Sequence, residues 1–369
     1  MIRKLNRIFQ DYMRQKRLKI GRYFWDRKEK KEEIIEGNFI EKNNIKSILF
    51  LRYDGKIGDM VVNTVMFREI KKQYPDIKIG VIARGAAKEI IKNNPYIDKI
   101  YNYEKNSKKI KELSKEISKE KYDLLIDFSE MLRVNQMMLI NLCKARYNMG
   151  LNREDWKLFD KSYSFPEGEF HIVEVYKKVL EEIGIKKPNL DYDLHFTEKE
   201  KQDVEVLLNK FKGQEIFVLN PFAASKHRDF NREKIQGIID IILKKENRIV
   251  FLIGEKKRGE EIENIIKKYL ENVFFAKLGS IMETAFLIKK ADFIITPDTS
   301  IVHIAAAFKK KMIAIYREDL DIEVKNKNLW SPNYDEAIQV FSRDLDVKKG
   351  EEPDINKFKL KEIDKIINN

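Results

Sequence analysis

Ser47-Ile48-Leu49-Phe50-Leu51-Arg52-Tyr53-Asp54-Gly55-Lys56-Ile57-Gly58-Asp59 is the stretch on which the fold reading turns. It opens with a short apolar run that suits a strand buried on both faces. Gly55 and Gly58 then let the chain turn before a helical pattern over residues 59–74. Tyr74-Pro75-Asp76 breaks that pattern, and residues 78–83 form a second strand. Outward from there, helix 86–93, strand 97–103, helix 107–119 and strand 122–127 continue the alternation. The Lys-rich stretch 105–121 reads as the solvated face of a crossover helix. The second half repeats the logic, with strands at 216–220, 248–254, 273–276, 293–296 and 311–316 and helices at 232–245, 258–270, 281–290 and 300–308. This predicts the α/β class with two doubly wound parallel sheets, joined near residues 188–200 and facing a ligand cleft with their strand ends.

Composition agrees with two packed domains. Of 369 residues, 43% are hydrophobic and 36% charged, with 15 Gly and 8 Pro, which excludes disordered and collagen-like chains. The net charge of +13 is unevenly spread: residues 1–31 hold 12 Lys/Arg against 3 acids, so +9 lies there and +4 on the other 338 residues. Within that segment Ile2, Leu5, Ile8, Phe9, Tyr12 and Met13 recur at helical spacing, followed by Ile20, Tyr23, Phe24 and Trp25. A basic amphipathic helix of this kind suits an anionic membrane surface, and packing on its own protein is the plainer alternative. Nucleic acid is the least favoured partner, because no nucleic-acid module is recognisable in the rest of the chain. Cys143, the single cysteine, excludes an internal disulfide and suits a reducing compartment. With no apolar run of about 18 residues and charges interrupting each apolar stretch near the start, a cytoplasmic, peripheral protein is expected.

Three loops could carry chemistry. In Ile57-Gly58-Asp59 to Thr64 the glycine allows close approach to a ligand, and Asp59 stands at a helix start, where an acid is also stabilised simply by the macrodipole. Neither a dinucleotide fingerprint nor a P-loop is present. In Asn220-Pro221-Phe222-Ala223-Ala224-Ser225-Lys226-His227-Arg228-Asp229-Phe230, cations gather after a strand, suiting an anionic leaving group or merely solvating a loop. In Thr296-Pro297-Asp298-Thr299-Ser300-Ile301-Val302-His303-Ile304-Ala305-Ala306-Ala307, a strand end meets capping residues, which suits phosphate or an ordinary capped helix with a core histidine. Asp191-Tyr192-Asp193 looks like a metal-binding D-x-D, but it falls in the connection between the halves and reads as a structural acid pair.

Taken in order, the three loops resemble glycosyltransferase family 9, the ADP-heptose:lipopolysaccharide heptosyltransferases, over most of residues 47–340. The resemblance implies a GT-B architecture of two Rossmann-like domains and an inverting transfer with no metal and no cofactor. The co-substrate would be a nucleotide sugar, ADP-heptose, and the acceptor a lipopolysaccharide core or related glycolipid. It implies Asp59 as catalytic base and Lys226 or Arg228 beside the donor diphosphate. The family's K-x-W-P is replaced by Arg228-Asp229-Phe230-Asn231, which leaves that register open. Asp298, Thr299, Ser300 and His303 match the donor loop, with Ser300 where many members have Gly, and Glu255 matches a ribose-binding acid. Tyr53, Lys56 and Arg84 are the acceptor-side candidates.

The expected organisation is a basic extension at 1–46, an acceptor domain at 47–195, a donor domain at 196–340, and a helical tail at 341–369 packing back on the N-terminal domain. Two other readings stay open: the same fold with a UDP-hexose donor, and a non-catalytic, membrane-associated α/β binding protein. 

Overall fold

The computed structural model describes residues 2–28, 33–269, 271–318, 326–343 and 353–368. Packing divides the chain into two compact units. The first comprises Met1–Gly55, Val65–Glu167 and Val173–Leu190; the second comprises Lys56–Thr64, Gly168–Ile172 and Asp191–Asn369.

The first unit begins with α1 (Ile2–Trp25) and α2 (Phe39–Lys42), then β1 (Ser47–Arg52), α3 (Ile57–Gln73), β2 (Lys78–Ala83), α4 (Ala86–Ile91) and β3 (Lys99–Asn102). It continues with α5 (Ser107–Glu120), β4 (Leu124–Asp127), α6 (Val134–Cys143), β5 (Tyr147–Leu151), β6 (Lys161–Tyr163) and α7 (Ile172–Ile183). The residues of α3 up to Thr64 and the first residue of α7 belong to the second unit. The described strands pair in parallel in the order β3-β2-β1-β4-β5-β6. All six residues of β1 are buried, as its unbroken apolar run requires of a strand covered on both faces. Leu49, Leu51, Ile82 and Leu125 from the strands pack with Ile110, Leu113 and Ile117 of α5 and Met137, Leu139 and Ile140 of α6. The lysines of α5 remain outside, and Asn106 caps it by accepting from Lys108 and Lys109 N–H.

Five described elements of this unit have no counterpart in the sequence reading: the four-residue α2, and α6, β5, β6 and α7. The buried residues of α6 run Gln136, Met137, Met138, Leu139 and Ile140 in succession, so no helical period marks it. Asn148 and Gly150 interrupt β5, and β6 has only three residues.

The second unit contains α8 (Glu198–Leu208), β7 (Glu215–Leu219), α9 (Arg232–Ile242), β8 (Arg248–Leu252), α10 (Gly259–Ile266), β9 (Val273–Phe275) and α11 (Ile281–Lys290). It ends with β10 (Phe293–Pro297), α12 (Ser300–Ala306), β11 (Lys311–Arg317), α13 (Asn326–Leu329), β12 (Ala337–Ser342) and α14 (Leu360–Asn368). Its described strands, also parallel, are ordered β12-β11-β10-β7-β8-β9. Read from the other edge, this is the same winding as in the first unit. Each sheet therefore reverses direction beside its first strand, at β1/β4 and at β7/β10, and the carboxyl ends of such a pair flank a crevice. The expectation of two Rossmann-like, doubly wound domains of GT-B type holds.

The tail is a correction. It was expected on the N-terminal domain, but Phe358, Ile363 and Ile367 belong to the core of the second unit together with Ile238, Ile239 and Ile242 of α9. A Cβ on Gly237 would stand 2.4 Å from Leu360 Cδ1, so this glycine provides the close approach of α14 to α9. Residues 344–352 of the tail lie outside the described residues.

Candidate active site

The β7/β10 crevice gathers most of the residues singled out in the sequence. Asn220, the residue after β7, is buried and donates from Nδ2 to Thr296 Oγ1 at 2.9 Å and to Thr299 Oγ1 at 3.2 Å. One amide thus joins the end of β7 to the end of β10. Thr299 is the N-cap of α12, its hydroxyl accepting from Ile301 N–H at 3.3 Å, and Ser300 is the first helical residue. A Thr at this cap leaves its backbone extended and starts the helix there.

The loop from Asn220 to Phe230 is closed on itself. Phe230 N–H donates to the Pro221 carbonyl at 2.8 Å, and Ala223 N–H donates to Asp229 Oδ1 at 2.8 Å. The other Asp229 oxygen lies 2.9 Å from an Arg258 guanidinium nitrogen, and that guanidinium stacks 3.9 Å above the Phe222 ring. Between these ties, residues 226–228 form a single 3-10 turn. Lys226 is exposed, while Arg228 is partly buried and lies 3.4 Å from Asp298 Oδ2. Asp298 therefore faces a cation. The cations expected of this loop are present, in a loop held at both ends. Asp229 and Arg258, which hold it, were not singled out in the sequence; a carboxylate and a guanidinium in separate loops give no local signal.

Asp59 lies in the first turn of α3, mostly buried at 16% side-chain exposure, with Lys56 Nζ 3.8 Å away. The preceding residue, Gly58, meets α12: a Cβ there would stand 2.7 Å from His303 Cδ2 and 3.6 Å from Ser300 Cα. The two helix starts approach as closely as a glycine permits. Asp59 and the α12 residues thus share one unit, though they come from opposite ends of the sequence.

His303 is 4% exposed and lies edge-on to Trp330 with ring centroids 5.6 Å apart. Burial, reinforced by His171, pushes its pKa down to about 3. His171 is likewise brought down to about 4 by burial, partly opposed by its Nε2 donating to the Ser331 carbonyl at 3.0 Å. Both rings are neutral at physiological pH, so His303 acts here as a packing surface and not as a cation. His171 and Trp330 complete this cluster without having been foreseen.

The remaining candidates are more dispersed. Glu255 follows β8, is exposed and pairs with Lys257 at 2.5 Å, beside Gly254, whose Cβ would meet Phe222 at 2.9 Å. Tyr53 and Arg84 belong to the first unit, just after β1 and β2. Tyr53 is half-buried against Tyr103, with its phenol pushed upward by burial and by Asp127; Arg84 is exposed. Lys56 is exposed beside Asp59. In the D-x-D, Asp191 lies 3.0 Å from Lys309 and Asp193 lies 3.0 Å from His195, so both carboxylates face cationic or titratable partners.

Comparison with known proteins extends the picture. The chain matches the model of glycosyltransferase family 9 (heptosyltransferase) over residues 110–354. It is 27% identical over 327 residues to the provisionally named lipopolysaccharide heptosyltransferase 4 of Escherichia coli (strain K12), covering 85% of this chain and 86% of that one. Among solved structures, its fold is similar to a glycosyl transferase family 9 protein from Veillonella parvula DSM 2008, with a TM-score of 0.72 at 16% identity over 87% of this chain and 95% of that one. It is also similar to E. coli heptosyltransferase WaaC with ADP, with a TM-score of 0.60 at 15% identity over 74% of this chain and 88% of that one. The family match spans well over half of the sequence and includes the whole β7/β10 crevice, and on that ground the chain belongs to glycosyltransferase family 9, the heptosyltransferases.

Proposed function

We propose that this protein is an inverting glycosyltransferase that moves heptose from ADP-heptose to a lipopolysaccharide core acceptor, working peripherally at the cytoplasmic face of the inner membrane. One observation carries the reading: Gly58 seats the start of α3, with Asp59, against the start of α12, so the candidate base and the candidate donor loop share a single packed site. The lipopolysaccharide heptosyltransferase relative and the ADP-bound structure of similar fold support the choice of donor and acceptor.

Transfer with inversion needs a base on one side of the anomeric carbon and charge stabilisation on the other. As the acceptor oxygen bonds to the anomeric carbon, the bond to the diphosphate oxygen breaks, and the Asp59 carboxylate takes the hydroxyl proton. The diphosphate leaves with added negative charge. Lys226 and Arg228 meet that charge in a loop already fixed before the reaction, which is the condition under which such cations favour the transition state over the ground state. The 3.4 Å contact with Asp298 keeps Arg228 oriented toward the crevice while the donor enters. Glu255 is the candidate for the ribose hydroxyls, and Tyr53, Lys56 and Arg84 for the acceptor. His303 supports Gly58 as a neutral packing surface. Reaction by this route draws on no resident cofactor or metal.

The test combines a nucleotide panel with one variant. ADP should raise the melting temperature more than UDP or GDP, and incubation with ADP-heptose and a heptose-deficient core acceptor should add one heptose by mass. Asp59→Asn should lower kcat by roughly 10²–10⁴-fold with ADP affinity nearly intact. Stabilisation by UDP alone would move the donor to a UDP-sugar, and unchanged turnover in Asp59→Asn would remove that residue from the mechanism.

A further inference from the structure

The helix α1 has two opposed faces, and among its described side chains one face packs on the protein while the other is exposed. At roughly 100° per residue, Leu18, Gly21 and Trp25 share one side. Leu18 and Trp25 pack on the core of the first unit, and a Cβ on Gly21 would lie 2.6 Å from Val134 Cγ2 at the start of α6. Further ties fix this side. The Arg22 guanidinium lies 4.3 Å from the Trp156 ring, Asn141 donates to the Trp25 carbonyl at 3.2 Å, and Asp26 accepts from Leu158 N–H at 2.9 Å. The helix cannot roll without breaking them.

The opposite side carries Phe9, Tyr12, Lys16, Ile20 and Tyr23 within roughly 80° of arc. Four of these are large apolar side chains left in water: Phe9 is 61% exposed, Tyr12 52%, Ile20 59% and Tyr23 81%. Exposed Arg17 and Lys19 stand at its two edges, and Lys16 lies 4.8 Å from the Tyr12 ring within it. Isolated exposed apolar residues need no explanation, but a row of them along one fixed helix face does.

We infer that this face is a docking surface for an anionic lipid bilayer, on which α1 lies flat, with Phe9, Tyr12, Ile20 and Tyr23 in the acyl boundary and the flanking cations among the headgroups. Charge complementarity selects this occupant: residues 1–31 carry +9 of the chain's +13, and exposed Lys16, Arg17 and Lys19, within or beside the apolar row, are placed to meet anionic headgroups. Aromatic residues favour the same boundary, since each presents an apolar ring beside a polar group or a cation. The inference deepens the membrane location proposed above, yet it needs no part of the chemistry.

The experiment is sedimentation of the full chain with vesicles of phosphatidylglycerol and phosphatidylcholine in equal parts, against vesicles of phosphatidylcholine alone. The comparison is with the variant F9S/Y12S/I20S/Y23S, whose positions face away from α6. Wild type should partition at least tenfold more strongly onto the anionic vesicles. The variant should lose that preference at an unchanged melting temperature and with unchanged transfer to a short, soluble acceptor. Three results would overturn the inference: equal vesicle binding by the variant, no binding by wild type, or a wild-type dimer that the variant converts to monomer, which would make the occupant a second copy. Vesicle binding without ADP stabilisation or transfer would leave the surface standing and remove the catalytic reading. Transfer without vesicle binding would do the reverse.

Discussion

At Gly58 the absence of one methyl group decides where Asp59 can stand. Gly55 and Gly58 look alike in the sequence, but they do different work. Gly55 has φ +77°, a conformation that costs an L side chain strain, whereas Gly58 is helical and matters for space. In Gly58→Ala the added Cβ would lie 2.7 Å from His303 Cδ2, so the ring or the start of α3 has to move. His303 is buried among Gly58, Trp330 and the core of α12, so the helix start is the freer partner. Displacement of a catalytic group by about 1 Å can cost on the order of 10²-fold. Gly58→Ala should therefore lower kcat by roughly 10- to 100-fold, with ADP affinity within about threefold of wild type, as steady-state kinetics and titration will show. An unchanged kcat would mean that Asp59 is not held by this contact. The turn was legible because a strand and two glycines are adjacent in the chain, whereas Asp59 as base is what the family resemblance implies, its local reading being equally an acid at a helix start. The partner of Gly58 was not legible, because His303 comes from the far end of the sequence and its capped helix reads equally well as ordinary core.

At the scale of elements, the strands were the most legible part. A doubly covered strand must be apolar at every position, and β1, β7, β8 and β10 are so over nearly their whole length. Loop structure depends instead on contacts between loops that follow different strands, and no local pattern encodes them. The loop after β7 is set by Arg258, which follows β8, and by Thr296 and Thr299 at the end of β10. Arg258→Ala removes both the ion pair to buried Asp229 and the stack on Phe222. The strongest consequence should fall on Lys226 and Arg228, whose backbone lies between the fixed points. An increase of roughly tenfold in KM for the donor is expected, larger than the change in kcat, because ground-state binding of the diphosphate weakens along with its transition state. Arg258→Lys should recover only part of it, since an ammonium cannot stack on Phe222 and pair with Asp229 in the same planar geometry. A lowered melting temperature with unchanged KM would reduce Arg258 to a structural role.

For the whole molecule, the placement of α14 shows what an amphipathic pattern leaves open. Ile363 and Ile367 define an apolar face, but any apolar surface of either unit could have received it. Arg248, at the start of β8, identifies the receiver. It is 4% exposed and donates to the Ile242 carbonyl at 3.2 Å, the Ile367 carbonyl at 3.2 Å and Asn368 Oδ1 at 2.8 Å, while pairing with Glu215 at 2.7 Å. One guanidinium thus serves the carboxyl ends of both α9 and α14, where carbonyls lack helical partners and the helix dipole favours a cation. Arg248→Ala would leave those carbonyls without this donor while Glu215, 42% exposed, returns to water, costing roughly 1–3 kcal/mol. The loss should be confined to the second unit. Hydrogen exchange in Arg248→Ala should speed up in residues 232–242 and 360–368 while residues 107–120 in α5 keep their protection. Faster exchange in α5 and the first sheet, with α9 unchanged, would instead place the tail on the N-terminal domain.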